Sequence, residues 1–340
     1  MKKTAVVILN WNGQRHLEKF LPPLFAYTSE NQADIYIADN HSTDGSPAFV
    51  RHNFPQAKVV ELAENSGFAG GYNKALAQIE AEYFVLLNND IEVTENWLQP
   101  LIEYLDNHEN TAAVQSKLLS YSEKNKFEYA GAAGGFIDKW GYPFCRGRIF
   151  ETVEEDNNQY NNVLDVFWAS GACMAIRAAD FWSAGALDAD FFAHQEEIDL
   201  CWRLNARGRK IACVPQSAVY HVGGGTLKTE NPRKTYLNFR NNLILLYKNL
   251  PEKRLRKTMI VRWFLDYIAA VGMLVSGKAA NAKQIVRARH DFRKIKKQFA
   301  QKRKENLEKT ILTEIPEMLR QSIVFQYYIR RKKYFREIKF

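Results

Sequence analysis

The stretch Tyr83-Phe84-Val85-Leu86-Leu87-Asn88-Asn89-Asp90-Ile91-Glu92-Val93 constrains the fold more than any other part of the chain. Five apolar residues run without interruption and then stop on three polar ones. Such a run suits a central strand of an α/β sheet, buried on both faces. In open α/β sheets, ligands bind outside the carboxyl ends of the strands. Asn89 and Asp90 stand at such an end. A carboxylate there, beside amides, can hold a hard divalent cation and through it a diphosphate. A plain Asn-Asn-Asp turn is the competing reading, and the neighbouring segments decide between the two.

Upstream, strand-like and helix-like segments alternate at about 30 residues per unit. Residues 4–10 form a strand, and Trp11-Asn12-Gly13 turns into a helix that Pro22 and Pro23 should kink or end. Residues 34–39 form a second strand ending on Asp39. The loop Asn40-His41-Ser42-Thr43-Asp44-Gly45-Ser46 is dense in turn formers. A helix to about Phe54 and a strand at 57–62 follow. Asn65-Ser66-Gly67-Phe68-Ala69-Gly70-Gly71-Tyr72-Asn73 then opens a helix to about Glu80. This order predicts a mostly parallel sheet with right-handed crossovers. The strand ends would then gather Asn10, Asp39, Asn65 to Asn73 and Asn89-Asp90 in one crevice. Asp39 could accept the ring N–H of a uracil or thymine base. Gly67, Gly70 and Gly71 would let backbone approach a phosphate or ribose, or would serve tight helix–strand packing. GxGxxG after the first strand and GxxxxGK[ST] are both absent, which argues against a dinucleotide-binding dehydrogenase and a P-loop NTPase.

After Asp90 the pattern loosens. Residues 97–107 read as helix and 112–119 as strand. Residues 120–164 read as loops and short strands, a candidate binding region. Residues 165–177 read as two short strands or one bent at Gly171, with Ala169, Ser170 and Gly171 as a pocket floor or a bulge. A second chemical centre is Phe191-Phe192-Ala193-His194-Gln195-Glu196-Glu197-Ile198-Asp199-Leu200-Cys201-Trp202-Arg203. A helix from about Gln195 puts Glu196, Glu197 and Asp199 in its first turn, where the helix dipole favours ionised carboxylates. One of them facing a pocket would be a candidate general base. An Asp199–Arg203 ion pair on the surface is the plainer alternative. Residues 212–220 resemble a strand and turn. His221 follows, ahead of Gly223-Gly224-Gly225, in what reads as a mobile loop where it could join Asp90 on a cation.

These pieces, in this order and spacing over roughly residues 4–226, resemble glycosyltransferase family 2, closest to its bacterial rhamnosyltransferase-like branch. The resemblance implies a GT-A fold, which is Rossmann-like with a mixed, mostly parallel sheet flanked by helices. It implies inverting transfer from a nucleotide-diphospho-sugar to a saccharide or lipid-linked glycan, as in cell-surface polysaccharide synthesis. Residues 1–225 would be the catalytic domain, with a nucleotide-binding half at 1–95 and an acceptor half at 96–225. Asn10, Asp39, Asn65, Gly67, Asn73, Asn89 and Asp90 would bind the nucleotide-sugar. Asp90 and His221 would hold Mn²⁺ or Mg²⁺, and Glu197, or else Glu196, would be the catalytic base. Two departures stand out. Asn88-Asn89-Asp90 keeps one carboxylate where the family has Asp-x-Asp, and Glu197 stands where the family usually has Asp.

Charge divides the chain. Residues 1–225 carry 18 Lys+Arg against 29 Asp+Glu, and residues 226–340 carry 29 against 9. The second part therefore reads as a basic, helical C-terminal region. Its segment 259–275 is apolar apart from Arg262 and Asp266. Those charges argue for an in-plane amphipathic helix on an anionic membrane surface rather than a spanning one. No run of 18 uncharged apolar residues occurs, and no signal peptide is read at the N-terminus. Four cysteines without paired spacing read as reduced, buried thiols. The expectation is a cytoplasmic protein at the inner face of the membrane. A nucleic-acid partner is not expected, because no recognised module occurs and the acidic front half would repel phosphate. The alternatives are a nucleotidyltransferase, or a catalytically inactive nucleotide-sugar fold whose basic tail binds nucleic acid or membrane.

Overall fold

The computed structural model describes residues 3–223 and 231–340. Gly224 and Gly225, in the glycine run expected after His221, lie outside the described residues, as does the boundary expected at 225/226.

The elements follow in order: β1 (Thr4–Asn10), α1 (Gln14–Ala26), β2 (Asp34–Asp39), α2 (Ser46–Asn53), β3 (Lys58–Glu61), α3 (Gly67–Leu76), β4 (Tyr83–Asn88), β5 (Ile91–Val93), α4 (Gln99–Asn107) and β6 (Thr111–Ser120). Then come β7 (Gly135–Asp138), β8 (Pro143–Cys145), β9 (Arg148–Ile149), β10 (Thr152–Val153), β11 (Leu164–Asp165), β12 (Cys173–Arg177), α5 (Ala178–Ser183), α6 (Glu196–Ala206) and β13 (Lys210–His221). The C-terminal region adds α7 (Pro232–Asn249), α8 (Glu252–Val275), α9 (Ala279–Ile295), α10 (Ala300–Glu308) and β14 (Met318–Leu319).

The main sheet runs β11-β13-β6-β12-β4-β1-β2-β3, with β5 also on β13. β3, β2, β1 and β4 are parallel, and β12 is inserted antiparallel between β4 and β6. Buried on both faces, β1 and β4 are nearly continuous apolar runs, as central strands require. The chain leaves β1 toward β2 and β3 and returns on the other side as β4. The strand order therefore reverses between β1 and β4, the place where open α/β sheets open a crevice. Register aligns Asn10 with Asp39 and Leu9 with Asn88, so the polar ends of three strands lie at one level.

Two sequence expectations change. Of the two outcomes expected at Pro22 and Pro23, a kink or an end, the end does not occur, because α1 continues through both to Ala26. Its buried face of Leu17, Phe20, Leu21 and Leu24 holds it against the sheet, and that burial outweighs the two backbone hydrogen bonds the prolines forgo. The C-terminal region is not helical throughout. β14 pairs in parallel with β7 and completes a second, five-stranded sheet built otherwise from residues 135–153. Asp138 fastens this junction by accepting from the amides of Trp140, Tyr142 and Ile323, each at 2.9 Å. Leu243–Leu246, Phe292 and Leu319 share one buried core with Val7, Phe84 and Met174 of the main sheet.

Candidate active site

Asn10 ends β1 fully buried, and its Oδ1 accepts from Asn89 Nδ2 at 2.9 Å. Gly13 makes room for this pair. A Cβ there would lie 2.3 Å from Asn89 Nδ2 and 2.4 Å from Asn10 Oδ1. Asp39, at the end of β2, accepts from the Ser42 amide at 2.9 Å through Oδ2. Its Oδ1 is buried with no partner.

Asn65 and Asn73 point elsewhere. Asn65 Oδ1 accepts from Asn40 Nδ2 at 3.1 Å and from the Gly67 amide at 2.9 Å, which shapes the turn into α3. Asn73 clamps the backbone of Leu187, donating to its carbonyl at 2.7 Å and accepting from its amide at 3.1 Å. The α3 glycines serve packing. A Cβ on Gly71 would lie 2.9 Å from Leu9, and one on Gly67 would lie 2.6 Å from the Phe192 ring and 2.8 Å from its carbonyl oxygen. Gly67 also has φ +70°. Gly67→Ala is therefore expected to lower stability by at least about 2 kcal/mol, from left-handed strain plus the Phe192 clash. Urea unfolding of the two proteins checks this, and an unchanged midpoint would contradict it.

Asp90 is buried just past β4. Its Oδ1 lies 3.1 Å from His221 Nε2, at the end of β13. The other ring nitrogen of His221 lies 3.3 Å from Glu128, a charge contact rather than an aligned hydrogen bond. Burial pulls the His221 pKa down, but Glu128 and Asp90 override it and push the imidazole to about 10. Burial likewise raises Asp90, yet the His221 hydrogen bond and charge hold it below the usual carboxylate range. Among the described residues no three His, Cys, Asp or Glu side chains form an all-protein metal cage. Asp90 and His221 nevertheless fit a cation that draws its other oxygens from a diphosphate. Their 3.1 Å separation suits two neighbouring ligands of one ion, which would displace the proton they share. Glu128 then becomes the group that orients His221. Its only sequence signal is a lone acid between Phe127 and Tyr129.

Glu196 and Glu197 open α6, as the sequence predicts. Asp199 turns inward. It pairs with Arg203 at 3.0 Å and Lys248 at 2.8 Å, so the expected ion pair exists but is buried. The expectation that the helix dipole keeps the pair ionised is overturned. Desolvation raises Glu197 to about 7, and desolvation plus the neighbouring Glu197 charge raises Glu196 well above the usual carboxylate range. Burial outweighs the dipole because the dipole acts only at helix-end strength while desolvation acts on the whole charge.

The approach to α6 is strained. Phe192, His194 and Gln195 have φ of 64°, 70° and 71°. α7 holds this segment in place, because Asn241 Nδ2 donates to the carbonyls of Phe191, Ala193 and His194 at 3.0, 2.9 and 2.8 Å. Asn242 Nδ2 donates to Gln195 Oε1 at 2.9 Å. Left-handed backbone held this firmly is characteristic of functional sites. The sequence signal for these clamps is two adjacent asparagines opening the apolar run Leu243–Leu246. Gly171 brings the two centres together. Its Cβ position lies 3.9 Å from that of Glu197, and the next carbonyl, Ala172, accepts from the Asn88 amide at 2.9 Å.

Among the described residues eight buried side-chain polar atoms lack partners, and five belong to Asp39, His194, Glu196, Glu197 and His221. Native interiors satisfy nearly all such groups, so each of these atoms is a candidate ligand contact.

A family model described as Glycosyl transferase family 2 matches residues 5–185. The chain is 24% identical over 232 residues to N-acetylglucosaminyl-diphospho-decaprenol L-rhamnosyltransferase of Mycobacterium tuberculosis, covering 64% of this chain and 75% of that one. It is 22% identical over 221 residues to rhamnosyltransferase WbbL of Escherichia coli, covering 64% and 82%. Among solved structures it matches GalNAc-T7 with UDP, GalNAc and Mn²⁺ at TM-score 0.58 and 15% identity. That match covers 86% of this chain and 55% of the other, so the chain spans about half of that neighbour. The mannosyltransferase PcManGT of Pyrobaculum calidifontis, with GDP-Man and Mn²⁺, matches at TM-score 0.53 and 14% identity, covering 90% and 85%. These neighbours share the GT-A architecture seen here.

Proposed function

Because this chain belongs to glycosyltransferase family 2, we propose that it moves a hexosyl group, with inversion, from a UDP- or dTDP-sugar to a hydroxyl of a saccharide or lipid-linked glycan. The observation that carries this reading is the gathering of polar residues at the ends of β1, β2 and β4, where Asn10 meets Asn89 and Asp39 Oδ1 is buried without a partner. Asp39 Oδ1 accepts the imide N–H of the base, which selects uracil or thymine over cytosine, whose N3 carries no proton. Asn10 and Asn89, locked to each other, form the floor beneath the sugar and diphosphate. Asn65, Gly67 and Asn73 serve the donor by fixing the walls of its site. Asp90 and His221 would hold Mn²⁺ or Mg²⁺. Such a cation, when bound, offsets charge developing on the departing diphosphate. Glu197, with one carboxylate oxygen enclosed and unpartnered, removes the acceptor hydroxyl proton. The acceptor oxygen attacks the anomeric carbon, the bond to the diphosphate oxygen breaks, and nucleoside diphosphate leaves. Glu196 lies beside Glu197, and burial together with the Glu197 charge raises the Glu196 pKa, which disfavours a second charge in the site.

In this reading residues 1–95 bind the donor, residues 96–225 shape the acceptor side, and residues 226–340 form a basic buttress that also meets anionic membrane. The setting is the cytoplasmic face of a bacterial membrane, in cell-surface polysaccharide synthesis. No nucleic acid takes part.

The test is nucleoside diphosphate release from a panel of nucleotide-sugars, with and without Mn²⁺ or Mg²⁺. Hydrolysis of one uridine or thymidine donor is expected. Asp39→Ala should weaken UDP or dTDP binding roughly 10–100-fold, the worth of a charge-assisted hydrogen bond, when read by calorimetry. No donor turned over and no thermal shift by UDP or dTDP would sink the assignment. Unchanged affinity in Asp39→Ala would remove Asp39 from base recognition.

A further inference from the structure

α8 is amphipathic in an inverted sense. The two charges within its apolar part, Arg262 and Asp266, face the protein, and its apolar residues face out. Arg262 and Asp266 are buried and paired at 3.0 Å, and Asp266 also accepts from Arg289 of α9. Arg262 donates further to Asn242 and to the Trp140 carbonyl. The opposite face carries Ile260, Trp263, Phe264, Ile268, Val271 and Val275, exposed from 40% at Trp263 to 83% at Val275. These residues recur every three or four positions and form one stripe about 22 Å long. A solvent-facing helix would place its charges there instead, so water is not the medium this face is built for.

The same helical face continues N-terminally into Lys253, Arg256 and Lys257, all exposed. Its acids are neutralised elsewhere, Glu252 by Arg303 and Asp266 by Arg262 and Arg289. Lys283, Lys294 and Lys297 are exposed on the adjoining segment from α9. An exposed apolar stripe that includes a tryptophan, flanked by exposed cations, is the composition of a helix lying in the plane of an anionic membrane surface. α8 is long and apolar enough to cross a bilayer. Its inner face, however, packs along α7 and α9 through the Arg262–Asp266–Arg289 cluster, which fixes it flat against the protein.

We propose that the outward face of α8 is a lipid-binding surface that seats the protein in the plane of an anionic membrane. The seat is tied to the candidate active site. Arg262 bonds Asn242, Asn242 bonds Gln195, and Gln195 precedes Glu196. The face that touches lipid and the helix carrying Glu197 are thus held in one rigid frame. This deepens the transferase reading, on which it rests only for its purpose: a lipid-linked acceptor would be met at a fixed height above the membrane.

The experiment is flotation of the full chain with vesicles of phosphatidylglycerol and phosphatidylethanolamine, and separately with phosphatidylcholine alone. Ile268→Glu/Val271→Glu and Lys253→Glu/Lys257→Glu are compared with the wild type. The wild type should float with the anionic vesicles and be released by alkaline carbonate. Both variants should lose roughly tenfold or more of the bound fraction. Melting temperature and donor hydrolysis in solution should not change in either variant, which separates failure of this surface from failure of the transferase reading. Absence of flotation by the wild type, or flotation indifferent to both variants, would overturn the proposal. Carbonate-resistant binding would replace it with a spanning helix. A wild-type dimer that Ile268→Glu/Val271→Glu splits, without vesicle binding, would assign the face to a second copy of the chain.

Discussion

Glu197→Gln is expected to reduce turnover about a thousandfold and to raise thermal stability at pH 8. Both effects come from the same burial. Desolvation lifts the Glu197 pKa from 4.5 to about 7, so the carboxylate, the form that takes a proton from an acceptor hydroxyl, dominates only above neutrality. Turnover should rise through pH 7 and level off above it. The sign for stability is opposite. The folded state binds a proton more tightly than the unfolded chain, so between pH 4.5 and 7 stability falls as pH rises. Above pH 7 the buried charge costs about 3 kcal/mol, and a neutral glutamine of the same shape removes that cost. With Glu197 as the proposed base, replacing it trades activity for stability. Initial rates from pH 5.5 to 8.5, with melting curves at pH 5 and pH 8, measure both. Retained turnover in Glu197→Gln would pass the base role to Glu196. A melting temperature that drops at pH 8 would show that Glu197 is held as a stabilising charge instead.

Asp90→Asn is expected to lower metal-stimulated donor hydrolysis about a hundredfold while leaving the fold intact. Asp90 is the one carboxylate of Asn88-Asn89-Asp90, so no neighbouring acid takes over. The amide is isosteric and still meets His221 at the Oδ1 position, 3.1 Å from Nε2. Removing the Asp90 charge also removes one of the two carboxylates that hold His221 protonated, leaving Glu128. Calorimetric titration with Mn²⁺ in the presence of nucleoside diphosphate reads metal binding apart from turnover. Equal Mn²⁺ affinity in the variant would take Asp90 out of the metal site, and full metal-stimulated turnover would take it out of the reaction.

Family membership also bears on the competing readings. The match over residues 5–185 does not favour a catalytically inactive nucleotide-sugar fold.

The nucleotide half was the most legible part of the sequence. Apolar runs buried on both faces have no other stable home in a chain of this pattern, and their polar ends necessarily mark the crevice side of the sheet. Asn10, Asp39 and Asn89-Asp90 could therefore be placed together before any coordinates. Asn65, Asn73, Gly67 and Gly71 were harder to read. A polar side chain or a missing Cβ near a site looks the same in sequence whether it touches a ligand or, as here, fastens Asn40, Leu187, Phe192 and Leu9. The protonation of Glu196 and Glu197 could not be read at all. Local sequence reports the helix end that favours charge, while the burial that overrides it comes from segments far along the chain.

By itself the sequence determined the alternation of strands and helices and the parallel character of β1 to β4, the polar residues at their ends, the two chemical centres and the split between an acidic front and a basic back. Period and composition are local, and these properties follow from them. The tertiary structure alone decided which carboxylates are paired and which stand unpartnered, that Glu128 backs His221, and that Asn241 and Asn242 hold the strained turn before Glu197. It also decided that Arg262 and Asp266, two charges that look out of place in an apolar helix, turn inward to each other and leave a hydrocarbon face outside. Beyond local pairs such as Arg262–Asp266, these depend on contacts between residues tens to more than a hundred positions apart, and a side chain's ionisation and exposure are set by what packs around it.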